Sequence, residues 1–156
     1  MRIFSTDQSS TASGWALSED GQYIDSGVIK KDIKNIDKRI PSMGLAICAK
    51  IKELNPTLVT IENIQNQSNI NTVIHLARLQ GCIILYCASK GIRCEIIGPS
   101  QWRSALDFKQ GGGVKRDALK QQSIDFVKEY FGFDNRTEDE CEALCQNVAA
   151  QKIFKD

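Results

Sequence analysis

A chain of 156 residues with 42% apolar and 25% charged side chains has room for one packed core and scarcely for two. No uninterrupted apolar run reaches the roughly 18 residues that span a bilayer, and the Met-Arg-Ile-Phe start enters a strand-like pattern with no charged-then-apolar leader. The expectation is one domain over residues 1–156, cytoplasmic and without a membrane partner, and a net charge of +1 neither indicates nor excludes nucleic acid.

In chain order, residues 2–7 read as a strand ending at Asp7. Trp15-Ala-Leu and Tyr23 to Ile29 read as two more, joined through the hairpin signal Glu19-Asp20-Gly21. Residues 36–54 look helical, with Pro41 near the start, and Asn55-Pro56 ends that segment. Leu58-Val-Thr-Ile61 is a short β-branched run that reads as a buried strand ending at Glu62. A polar loop, Asn63 to Asn69, precedes a long helix to about Ser89; Arg93 to Ile97 is a fifth strand. Pro99-Ser-Gln-Trp102 opens a short helix. Lys109-Gln-Gly-Gly-Gly113 is a flexible loop, and Leu119, Phe126, Val127 and Tyr130 mark an amphipathic helix after it. A last helix begins near Thr137, with Cys141, Leu144, Cys145 and Val148 on one stripe. Hairpin-linked strands followed by β-α-β units predict an α/β fold: a five-stranded mixed sheet flanked by helices, the order of the ribonuclease H-like fold.

The cysteines at 48, 82, 87, 94, 141 and 145 sit in apolar contexts and read as reduced, buried thiols. With no C-x-x-C pair and His75 as the single histidine, zinc has no ligand set. His75, mid-helix, reads as packing or surface.

Asp7 and Glu62 each end an apolar strand and precede a polar loop. If those strands are parallel neighbours, their ends lie about 5 Å apart on the sheet edge where open α/β folds hold ligands. Thr137-Glu-Asp-Glu140 fits a capping box, which gives Glu140 a structural task. Asp139 and Glu142 remain, three apart and so neighbours on one helix; taken alone they also fit the ordinary preference for acids in a first helical turn. Four carboxylates from two strand ends and a helix suit two Mg²⁺ ions about 4 Å apart, an arrangement that hydrolyses phosphodiesters.

These segments carry a family resemblance. Asp7 with Ser9-Ser-Thr-Ala-Ser-Gly14-Trp15, Val59-Thr-Ile-Glu62, Ala77-Arg-Leu-Gln-Gly81, Gly112-Gly-Val-Lys115 and Asp139-x-x-Glu142-Ala143-Leu144 resemble RuvC-type Holliday-junction resolvases, most of all the divergent, phage-borne branch. No one motif is specific; five in register are. The resemblance implies a ribonuclease H-like fold, a homodimer, dependence on Mg²⁺ or Mn²⁺, and paired nicks that resolve a four-way junction. It carries catalytic and metal-binding roles to Asp7, Glu62, Asp139 and Glu142, and a catalytic role to Lys115 as a DNA contact near the scissile phosphate. Two departures stand out: Glu142 where bacterial members usually have Asp, and Gln65 where they often place an aromatic wedge. The second implies looser substrate choice, extending to forks and three-way junctions.

Charge is unevenly spread. Residues 88–120 carry seven basic and three acidic side chains, residues 121–156 four and eight. That suits a protein holding a polyanion with one segment and cations with another. Arg103, Lys109, Lys115, Arg116 and Lys120 surround the glycine loop and read as phosphate contacts, although solubilising charge is their ordinary role. Gln65, with Asn63, Asn66, Gln67 and Asn69, reads as DNA-facing or as a plain polar loop. Trp102 and Phe108 can stack on bases, the former more readily filling the core. The helix from Ile70 is apolar on two faces. One seam is Ile70, Val73, Ala77, Gly81, Ile84 and Ala88; the other is Leu76, Leu79, Ile83 and Tyr86. Either a second subunit or the chain's own core covers the second face. Alternatives to a junction nuclease are a catalytically silent module that binds branched DNA, and an actin-like ATP-binding protein, whose phosphate loop Asp7-Gln-Ser-Ser-Thr11 faintly resembles.

Overall fold

The computed structural model describes residues 1–65 and 69–154. Those residues form five strands: β1 Arg2–Asp7, β2 Ala12–Glu19, β3 Gln22–Lys30, β4 Leu58–Glu62 and β5 Arg93–Ile97. Five helices accompany them: α1 Ile36–Leu54, α2 Ile70–Lys90, α3 Pro99–Ala105, α4 Arg116–Phe131 and α5 Glu138–Ile153. The sheet order is β3-β2-β1-β4-β5. β1, β2 and β3 form an antiparallel meander, while β1, β4 and β5 run parallel. The β2–β3 turn places Asp20 and Gly21 at φ 48° and 84°, the left-handed pair that matches strand twist in a two-residue hairpin. This is the five-stranded mixed sheet the sequence implied. β2 is longer than Trp15-Ala-Leu, because Ala12, Ser13 and Gly14 pair with Lys30, Ile29 and Val28 of β3, and Ser18 and Glu19 pair with Ile3 and Arg2 of β1.

Each face of the sheet carries its own core. On one, Phe4, Trp15, Leu17, Val59 and Ile61 meet Met43, Ile47 and Ile51 of α1 and Leu79, Ile83 and Cys87 of α2. On the other, Ile3, Ala16, Leu58 and Ile97 meet Trp102 of α3, Val127 of α4 and the length of α5. Strand alternation divides them: odd residues of β1 and even residues of β4 face α5. α5 is buried from Glu140 through Ala150 except at half-buried Glu142, well beyond the stripe seen in sequence.

Several local expectations are revised. Pro41 lies inside α1, on its exposed side, rather than in its first turn. Of the amphipathic set in α4, Val127 is fully buried but Tyr130 is exposed, stacked on Phe126 at 5.2 Å. The six cysteines are free, and Cys87, Cys141 and Cys145 are buried, whereas Cys82 is exposed on α2. α2 meets the length and composition of a membrane span, a criterion core helices also meet; its Leu79, Ile83 and Cys87 are wholly buried against the sheet and α1. Its other seam, from Ile70 through Ile84, lies open.

Candidate active site

Parallel pairing of β1 with β4 sets Thr6 beside Ile61 and brings Asp7 and Glu62 to one edge. Alternation then aims both at α5: Ile3, Ser5 and Asp7 share one face of β1, as Leu58, Thr60 and Glu62 share one face of β4. Beneath the carboxylates the same face is polar. Thr60 Oγ1 donates to Ser5 Oγ at 2.7 Å, and Asn147 Nδ2 donates to Ser5 Oγ at 3.1 Å and to the Ile3 carbonyl at 3.0 Å. α5 is thereby fixed to the sheet by directed bonds as well as by packing.

Gly14 brings the helical acids in. It pairs across from Asp7 on the same face of the sheet. A Cβ at position 14 would stand 1.9 Å from the Asp139 carbonyl oxygen and 2.4 Å from its carbon. Only a hydrogen fits there, so the first turn of α5 rests directly on β2. Thr137 caps that turn, its Oγ1 accepting from the Glu140 amide at 3.3 Å. Glu140 does not complete the box. Its carboxylate accepts from Ser26 Oγ at 2.7 Å and pairs with Arg136 at 3.2 Å. That leaves Asp139 and Glu142 to face Asp7.

The electrostatics record this convergence. Burial, then the charges of Glu62, Glu142 and Asp139, push the Asp7 carboxyl well above the usual carboxylate range, and it shares a hydrogen bond with Glu142. Glu62 is pushed up to about 7, chiefly by burial and also by Glu142, against the opposing pull of the Trp102 N–H and of Arg103. Trp102 Nε1 donates to Glu62 Oε2 at 2.8 Å, and Gln146 Nε2 reaches the same oxygen at 3.2 Å. Arg103 comes within 3.9 Å of Glu142 Oε1. Among the described residues no group of three or more acidic, thiol or imidazole side chains is disposed to hold a metal ion as they stand. Four hard oxygen donors crowded into a half-buried edge, with Arg103 as the cation beside them, are nevertheless a donor set that fits Mg²⁺ or Mn²⁺. Those ions accept carboxylates and keep several waters, so an open arrangement suits them. The clefts of about 330 and 480 Å³ lie at the opposite sheet end, around Gly21, Tyr130 and Gln151, and take no part in this site.

The residues singled out in sequence sort into three groups. Asp7, Glu62, Asp139 and Glu142 are brought together. Lys109, Lys115 and Arg116 stand exposed around the glycine loop, and Gln65 is exposed after β4. Arg103 and Lys120 are drawn toward the acids of α5. Arg103 is 12% exposed and stacks over the Trp102 ring at 4.8 Å, and Lys120 pairs with Glu138. Among the described residues Lys115 shows no contact with the four carboxylates. Asn66 and Gln67 lie outside the described residues. Sequence reading missed Gly14 as a steric requirement, and it missed Trp102 and Gln146 as partners of Glu62. Strand alternation through Ser5-Thr6-Asp7 and Thr60-Ile61-Glu62 was a usable signal for the shared face; nothing local marks which indole meets which carboxylate.

A 3-2-1-4-5 mixed sheet flanked by helices is the ribonuclease H-like fold. The family model of the crossover junction endodeoxyribonuclease RuvC matches residues 3–149, and the chain belongs to that family, a class of structure-selective junction endonucleases. A RuvC of Neorickettsia sennetsu is 29% identical over 127 residues, covering 78% of this chain and 73% of its own. Two solved structures share the fold. Thermus thermophilus RuvC in complex with Holliday junction substrate superposes with a TM-score of 0.77 at 14% identity, over 98% of this chain and 96% of that one. Fowlpox virus resolvase with its substrate Holliday junction DNA gives 0.67 at 16% identity, over 99% and 100%.

Proposed function

We propose that this chain nicks four-way DNA junctions in pairs, with Asp7, Glu62, Asp139 and Glu142 as ligands of two Mg²⁺ or Mn²⁺ ions. The observation that carries the reading is the convergence of four carboxylates from β1, β4 and α5, where burial and then the charges of Glu62, Glu142 and Asp139 raise the Asp7 carboxyl. Bound there, divalent ions supply Lewis acidity toward the phosphate and a more acidic water. The chain's own residues do the rest. Lys109, Lys115 and Arg116 present exposed cations on a loop whose Gly111, Gly112 and Gly113 all take positive φ, which lets backbone approach a phosphate closely. Arg103 faces Glu142 and opposes the acids' mutual repulsion before metal arrives. Lys120, paired with Glu138, borders the same segment.

The open seam of α2, with Ile70 65% and Ile84 37% exposed, is the proposed homodimer face. Two copies across a twofold axis place two active sites on a near-twofold junction. Gln65 at the wedge position offers hydrogen bonds but no broad stacking face, which favours recognition of branch geometry over bases. Forks and three-way junctions are therefore secondary substrates, and the site of action is the bacterial cytoplasm.

The test is incubation with labelled four-way, three-way, fork and linear DNA, with and without Mg²⁺, on protein whose mass in solution has been measured. The expected result is paired nicks in four-way junctions by a dimer, slower cutting of forks and three-way junctions, and none of linear duplex or without metal. Tight binding without cleavage would make the chain a silent junction-binding module, and full activity as a monomer would remove the dimer.

A further inference from the structure

Glu62 is held at both its backbone and its carboxylate. Its backbone amide donates to Gln8 Oε1 at 3.1 Å, and its carbonyl accepts from Gln8 Nε2 at 2.6 Å and Gln80 Nε2 at 3.1 Å. Its Oε2 accepts from Trp102 Nε1 and Gln146 Nε2. All of these donors are neutral. Glu140, by contrast, is held by the Arg136 cation as well as by Ser26, which spends its charge internally. Neutral donors fix a carboxylate's direction while leaving its negative charge in place for a cation.

The stronger of the two side-chain donors is built not to move. Trp102 is fully buried, with Phe108 edge-on at 5.8 Å on one side and the Arg103 guanidinium over its ring. A buried indole N–H needs an acceptor, and here that acceptor is an acid at the reacting edge. α3 is pinned in turn: Gln110 Nε2 donates to the Ser100 carbonyl at 2.9 Å and to Ser104 Oγ at 2.7 Å. Adjacent residues of this one short helix thus address two of the four acids, Trp102 meeting Glu62 and Arg103 meeting Glu142.

We propose that Trp102 is a positioning residue for Glu62: its N–H, with the Gln146 amide, holds Oε2 and leaves Oε1 as the oxygen offered to a divalent cation. The inference rests on the four-carboxylate reading above. Partners of this kind, one step removed from the metal, typically carry 10–100-fold in metal affinity.

The experiment is calorimetric titration of Mn²⁺ into DNA-free protein, for the wild type, for Trp102→Phe, and for protein carrying β-(3-benzothienyl)alanine at position 102, which keeps the bicyclic shape and lacks the N–H. Both variants are expected to bind Mn²⁺ roughly 10–100-fold more weakly, to bind four-way junctions normally in EDTA, and to recover cleavage as Mn²⁺ is raised. A purely structural defect would not be rescued by metal. If Trp102→Phe fails to fold, the isostere decides. Wild-type Mn²⁺ affinity in the isostere would overturn the positioning role while leaving the carboxylate site intact. No Mn²⁺ binding by the wild type would overturn both.

Discussion

The two faces of the sheet are built on opposite plans. The α1/α2 face is almost purely apolar, with Phe4, Val59, Ile61, Ile47, Leu79 and Ile83 filling it side by side. The α5 face carries buried Ser5, Thr60, Gln146 and Asn147 among its apolar residues, and it ends in four acids. Apolar packing is non-directional and tolerates substitution of similar volume. A hydrogen-bonded face tolerates little, because each buried polar group must keep its partner. The first plan supplies stability, and the second supplies position at some cost to stability. Crowded acids raise the free energy of the metal-free fold, a repulsion that the proposed divalent ions would relieve.

The sharpest way to break this comparison is to remove one acid. Asp7→Asn or Glu62→Gln should reduce cleavage by more than roughly 100-fold, since a direct ligand carries more than the 10–100-fold of a supporting residue, while junction binding persists. The same substitutions should raise the unfolding temperature of metal-free protein, because a repelling charge is gone. Cleavage assays beside thermal melts in EDTA read both signs. Cleavage at wild-type rate, or a lower melting temperature for Asp7→Asn, would erase the contrast between the faces.

Next in size is a matched pair of glycines. Gly14→Ala would force a methyl into the Asp139 carbonyl at 1.9 Å, and backbone must give way. About 1–3 kcal/mol of overpacking and a marked loss of cleavage are expected, as Asp139 and Glu142 are pushed from Asp7. Gly44→Ala, in α1 on the other face, meets side-chain atoms alone: Cys82 Cβ at 3.3 Å, Cys82 Sγ at 3.6 Å and Leu79 Cδ1 at 3.7 Å. There the gain of about 1 kcal/mol in helix propensity offsets mild crowding, and cleavage should not change. Urea denaturation and a cleavage assay on the two variants compare the faces directly.

The smallest effect is one of pH. Glu62 is raised from 4.5 to about 7 in the folded chain, so the metal-free fold binds its proton more tightly than the unfolded chain does. The stabilisation this gives is complete below about pH 4.5 and is lost as pH climbs through about 7. Asp7, also raised, acts in the same direction. Melting temperature in EDTA should therefore fall between pH 5 and 8, and Mg²⁺ should flatten the slope. A melting temperature that rose over that range would contradict the crowding.

Much of this was legible in the chain. The succession of elements and the mixed sheet followed from hairpin and β-α-β signals, and Thr137 announced the start of α5. Asp7 and Glu62 were visible as strand ends, and Asp139 with Glu142 as a helical pair left over once Glu140 was assigned elsewhere. The rest was not legible, because it depends on approach distances between segments far apart in sequence. Gly14 lies 125 positions from Asp139, Trp102 lies 40 from Glu62, and Arg103 reads as a surface cation until α5 is packed beside it. The inward turn of Arg103 and Lys120 shows the limit of reading charge by composition: a basic segment beside an acidic helix partly answers that helix before it meets any DNA.

α5 behaves as a screw seated in a threaded hole. Each residue of axial slip would turn the helix by about 100° and advance it by about 1.5 Å, which would swing Asp139 and Glu142 away from Asp7. Three separate stops prevent that slip: the Thr137 cap at its head, Gly14 against its first turn, and Asn147 bonded to β1 further along. Because the stops lie on the helix and the sheet, the angular setting of the acids does not depend on the length of the segment leading in from Gly132. That segment can lengthen or shorten as the chain diverges while the acids keep their bearing.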